Sequence, residues 1–86
     1  MPEICRFFGI SIRLYYNDHQ PPHFHVVYGE QSAVIAIRSL MVLEGSLSPR
    51  ALGLVIEWAS QHQEDLLKLW ERARSYQPLY RLPPLT

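Results

Sequence analysis

Eighty-six residues, 48% of them hydrophobic, suffice for one small globular core and are too few for two. Eight basic side chains balance eight acidic ones, and a net charge of zero excludes a chain drawn onto nucleic acid by its overall field, leaving only local patches for that role. Cys5 is the single cysteine, which excludes an internal disulfide; no apolar run is long enough to cross a bilayer, and without a signal-like N-terminal segment the expected compartment is the cytoplasm.

The first apolar run, residues 4–8, closes at Gly9 and reads as a strand. Residues 10–16 then alternate: Ile10, Ile12, Leu14 and Tyr16 point one way, Ser11, Arg13 and Tyr15 the other. Asn17-Asp18 opens a connection that runs through Pro22. Residues 23–28 form the next strand, with Phe24, Val26 and Tyr28 on one face and His23, His25 and Val27 on the opposite one. A turn at Gly29-Glu30-Gln31 leads into residues 32–38, where Ala33, Ile35 and Ile37 alternate with Val34, Ala36 and Arg38. A second turn leads to residues 41–44, closed by Gly45. Short strands with short connections predict an antiparallel meander of four or five strands over residues 1–46.

Ser48 followed by Pro49 is a helix start, a hydroxyl cap before a proline that needs no N–H partner. Ala51, Val55, Trp58, Leu66, Trp70 and Ala73 recur at helical spacing up to Pro78, predicting one amphipathic helix over residues 48–75. At ~1.5 Å per residue it would be roughly 40 Å long, about twice the span of a six-residue strand. The polar patch Ser60-Gln61-His62-Gln63 is where such a rod would bend, but positions 58, 62 and 66 stay in phase across it, and continuity is the expectation. The proline-rich tail, 77–86, is expected to be extended and to lie across a neighbour. The fold class is α+β: a meander with one long C-terminal helix on one face, in a single domain whose small core makes a partner or a homo-oligomer a reasonable expectation.

The helix stripe would cover Ile10, Ile12, Leu14, Phe24, Val26, Ile35, Ile37 and Leu43. Arg13, Tyr15, His23, His25, Arg38 and Glu44 are then left on the bare face. Beside them lies Asp18-His19-Gln20-Pro21-Pro22-His23-Phe24-His25, with three of the four histidines in eight residues and two prolines to stiffen it. His23 and His25, at i and i+2 on a strand, project the same way. With Asp18 or His19 they could hold a divalent transition metal, for which imidazole and carboxylate are suitable donors. Alternatively His23 or His25 is a general acid or base beside Arg13 and Tyr15, acting on a phosphodiester. A third reading makes the imidazoles structural, bonding loop carbonyls and bracing the Pro-Pro turn. His62, alone in the helix stripe, reads as a core or rim residue, and Trp58 and Trp70 as core anchors.

Phe7-x-Gly9-Ile10, Tyr15-Tyr16-Asn17-Asp18-His19, Pro21-Pro22-His23-Phe24-His25 and Tyr28-Gly29-Glu30 together resemble a bacterial family catalogued as domain of unknown function 4160. The helical half is similar too, at Glu44-Gly45-x-Leu47-x-Pro49-Arg50-Ala51-Leu52, Glu57-Trp58-Ala59 and Leu66-Leu67 with Trp70-Glu71 and Ala73. The resemblance implies a stand-alone small protein, encoded beside a second small protein in what looks like a toxin–antitoxin pair. The expected partner is that co-encoded protein, docking by strand addition or helix-in-groove packing.

Overall fold

A computed structural model describes residues 2–86. Five strands, β1 (Glu3–Phe7), β2 (Ile10–Arg13), β3 (His23–Tyr28), β4 (Gln31–Ala36) and β5 (Val42–Ser46), form one antiparallel sheet in the order 1-2-3-4-5. Each strand therefore pairs with its neighbour in sequence, as the short connections require. Phe8 and Gly9 both take positive φ, 50° and 79°, the two-residue turn whose twist matches a hairpin. The α+β class and the meander stand as expected.

The long helix does not. Two helices follow the sheet, α1 (Pro49–Ser60) and α2 (Gln63–Arg74), separated at Gln61 and His62. Ser48 caps α1 with its hydroxyl, accepting from the Ala51 N–H at 3.3 Å. The break is held from outside: the Gln63 amide donates to the Ile37 and Arg38 carbonyls at 2.8 and 3.1 Å, pinning the start of α2 to the turn after β4. Length explains why it occurs. A continuous rod of roughly 40 Å would outrun the longest extent of the molecule, 33 Å, and leave part of its apolar stripe uncovered. Two helices of 12 residues each bury the whole of it: Ala51, Val55, Trp58 and Ala59 from one, Leu66, Leu69, Trp70 and Ala73 from the other.

Those side chains meet Ile10, Ile12, Leu14, Phe24, Val26, Ile35 and Ile37 in the core. Leu43 is not among them and is 44% exposed. In the β4–β5 register Val34 faces Glu44 and Ile35 faces Val42, so Leu43 is the extra residue of a bulge and turns away from the core. Gly45 sits beside it with φ 75°, where a Cβ would run into the Ser32 carbonyl. Tyr16, expected on the core side, lies beyond the end of β2; it is exposed and stacks on Tyr76.

The tail folds back on its own chain. Leu82 donates its N–H to the Ile4 carbonyl at 2.8 Å and is itself buried. Trp58 Nε1 donates to Pro83 O at 2.8 Å, and Arg81 reaches Glu3. One edge of the sheet, β1, is thereby covered by residues of the same chain. β5, at the other edge, has a strand on one side only. Among the described residues no helix is long and apolar enough to cross a membrane.

Candidate functional site

β3 begins at His23, directly after the Pro21-Pro22 corner, and alternation carries His23 and His25 to the same side of the sheet. Their rings lie 5.1 Å apart, centre to centre. Asp18, in the connection between β2 and β3, supplies the point on which they converge: His23 Nε2 and His25 Nε2 each stand 2.9 Å from the same oxygen, Asp18 Oδ2. The ligand-capable atoms of these three residues all lie within 4.8 Å of one another.

The other oxygen, Oδ1, accepts the His19 backbone N–H at 2.9 Å and has His19 Nδ1 at 3.0 Å. The His19 side chain is 79% exposed, against 15% for Asp18, and stands outside the convergent group. Burial pushes the Asp18 carboxyl up. Hydrogen bonds from His25 and from the His19 N–H, with the charge and hydrogen bond of His23, outweigh it and bring the pKa from an ordinary 3.8 to about 2.

His23 is not on a bare face. It is 2% exposed, because Trp70 of α2 packs on its ring at 5.0 Å, centre to centre, and the preceding loop closes over it. The Asn17 N–H donates to the Ala73 carbonyl at 3.1 Å, tying that loop to the end of α2. His23 Nδ1 lies 2.6 Å from the Pro21 carbonyl, so this imidazole also braces the proline corner. Trp70 was legible as a core anchor, but nothing in the spacing of a helix stripe says that it also walls a histidine. Among the described residues its Nε1 is a buried polar atom without a hydrogen-bond partner.

His25 is 25% exposed and opens onto the sheet's uncovered face. The register places Arg13, His25, Val34 and Glu44 in one row across β2 to β5. Tyr15 meets the His25 ring edge-on at 4.4 Å. Tyr15, His25, Val27, Val34 and Glu44 line a shallow groove of about 420 Å³. Arg13 is in the row but not in the groove: its Nε donates to Ser11 Oγ at 3.0 Å, and Ser11 donates in turn to Glu3 at 2.6 Å. That hydrogen bond from Ser11, with those from Arg6 and Arg81, lowers the Glu3 carboxyl against the effect of burial. Arg38 falls in the turn after β4, and His62 is the residue before α2, its ring 5.1 Å from Trp58. Cys5 is buried, which raises its thiol, and its Sγ faces the Pro83 carbonyl.

The model of a family described as domain of unknown function (DUF4160) matches residues 9–71 of the 86. The chain belongs to this family. The match takes in the whole loop from Asp18 to His25 and both helices as far as Glu71, so Asp18, His23, His25 and Trp70 all lie within the family's domain. β1 and the tail that covers it lie outside. The chain matches no curated protein and no solved structure.

Proposed function

We propose that this domain is the interaction component of a bacterial, toxin–antitoxin-like two-protein module in the cytoplasm, and that its co-encoded small partner adds a strand to β5. The observation that carries this reading is the asymmetry of the two sheet edges. The β1 edge is occupied by the chain's own tail, whereas all five residues of β5 are exposed and Met41, Val42 and Leu43 present apolar side chains there. An open edge is a row of unpaired N–H and C=O groups, the surface that an added strand uses. The bulge at Leu43 breaks the flat edge that would let copies of the sheet stack without limit, and it turns an apolar knob outward for a shaped partner. Co-expression with the product of the adjacent gene tests this: a complex that survives gel filtration and is lost in Leu43→Lys supports it. Two proteins that elute separately, or a chain whose β5 edge pairs with a second copy instead, refute it.

A phosphodiesterase role has one observation in its favour, the Asp18–His25 pair with Tyr15 at the mouth of a groove. The charges are less favourable to it. The groove is lined by the Glu44 carboxylate, while the Arg13 guanidinium that would offset phosphate charge is drawn to Ser11. Under this reading growth arrest on overexpression disappears in a folded His25→Ala variant; arrest that persists removes it.

A further inference from the structure

We propose that Asp18, His23 and His25 bind one divalent transition-metal ion, with its remaining coordination positions open to the groove beside His25. The inference goes beyond docking at β5 and does not depend on it.

The hydrogen bonds of His23 provide the argument. Both its nitrogens face acceptors: Nδ1 meets the Pro21 carbonyl at 2.6 Å and Nε2 meets Asp18 Oδ2 at 2.9 Å. A neutral imidazole carries one N–H and an ionised carboxylate carries none, so one of these two contacts sets lone pair against lone pair. The ring is 2% exposed, and water cannot relieve the conflict. A positive charge at Nε2 does, whether a proton or a metal ion. Two further observations favour the ion. His25 directs its own Nε2 at the same carboxylate oxygen, giving three donor atoms around one point where a proton on His23 would need only two. The Nδ1–H to carbonyl bond is also the outer contact that metal-binding histidines make, fixing the tautomer that leaves Nε2 free as a ligand.

The donor set indicates which ion. Two imidazole nitrogens and one carboxylate oxygen suit Zn(II), Co(II), Ni(II) or Fe(II), and not Mg(II) or Ca(II), which take oxygen. Ligands at ~2.0–2.1 Å in a tetrahedral site stand about 3.3 Å apart. The two 2.9 Å histidine–carboxylate separations need to open by only a few tenths of an ångström, and the two imidazole nitrogens, within 4.8 Å of each other, are close enough to share one ion. His23 is enclosed, whereas His25 is 25% exposed, so the side toward His25 is where water or a small ligand completes the shell.

The test uses the full chain without a histidine tag, stripped with a chelator and titrated with Co(II) alone, then competed with Zn(II). One equivalent is expected to bind, with the visible bands of low-coordinate cobalt. Affinity is expected to fall by more than roughly 100-fold, beyond the loss of an outer contact, in Asp18→Asn and His25→Ala, and to persist in His19→Ala. Imidazole ¹⁵N shifts of the unmodified chain provide a reading that needs no variant: Zn(II) is expected to move Nε2 of His23 and His25. No saturable binding below millimolar metal overturns the proposal. So does binding that survives Asp18→Asn, an equal loss in His19→Ala and His25→Ala, or shifts confined to His19 and His62.

Discussion

Asp18 ties the β2–β3 loop to both strand histidines, and replacing it isolates that role. The folded carboxyl titrates at about 2 rather than 3.8, a difference of ~1.8 units, and at ~1.36 kcal/mol per unit the ionised form stabilises the native state by about 2 kcal/mol. The side chain is only 15% exposed, so solvent screening takes little from that figure. The folded value is depressed, so this contribution is complete above pH ~4–5, falls to about 1 kcal/mol near pH 3, and is lost as pH drops through about 2. Asp18→Asn removes the titrating group. Urea unfolding of both proteins in chelator, from pH 6 to pH 2.5, is expected to show a wild-type stability that declines with acid more steeply than the variant's, the gap narrowing by at least ~1 kcal/mol. Parallel pH profiles would show instead that the four N–H···O and N···O approaches to Asp18 do not act on folding.

Gly45→Ala is expected to cost ~2 kcal/mol or more, because a Cβ at φ 75° meets the Ser32 carbonyl; an unchanged melting temperature would mean that β5 does not approach β4 so closely. Leu43→Lys, on the bulge, is expected to shift stability by less than ~0.5 kcal/mol in the isolated chain, and a larger loss in a thermal melt would place Leu43 in the core after all. Trp58→Phe keeps the aromatic packing on Phe7 and Phe24 but loses the indole N–H to Pro83. It is expected to cost about 2 kcal/mol, the lost hydrogen bond plus the space the smaller ring leaves in a fully buried site, and to make residues 77–86 cleavable by protease under native conditions; a tail that stays resistant would show that Leu82 and Arg81 hold it alone.

The meander was legible because its signals are local. Period-two alternation set the faces of residues 10–14 and 24–26, and turn residues marked the hairpins at Phe8-Gly9 and Gly29-Glu30. The register of β5 was not, because a bulge is a property of a strand pair: inserting Leu43 opposite Val34–Ile35 reverses its face without altering the alternation of its own strand. The helix break left a trace that phase-counting overrode. Glu64 and Asp65 stand in the first turn of α2, where acidic residues belong at a helix start, as Arg72 and Arg74 stand in its last. Positions 58, 62 and 66 kept phase because both helices must face the same sheet, which is not evidence that they are one helix.

The misplaced helix and the misplaced histidine have a single cause. In an unbroken rod Trp70 would stand twelve residues, ~18 Å, along the axis from Trp58, nearly the whole ~20 Å span of a strand the length of β3. The break at Gln61 and His62 redirects α2, and Trp70 then packs on the first residue of β3, converting His23 from a surface imidazole into one that is 2% exposed. Burial in turn gives the cluster its chemistry. A half-exposed histidine could satisfy either nitrogen with water, whereas an enclosed one between the Pro21 carbonyl and the Asp18 carboxylate has no water to turn to. The amide of Gln63, holding the break against the turn after β4, is therefore part of what maintains the electrostatic demand at Asp18, although it touches none of the three residues.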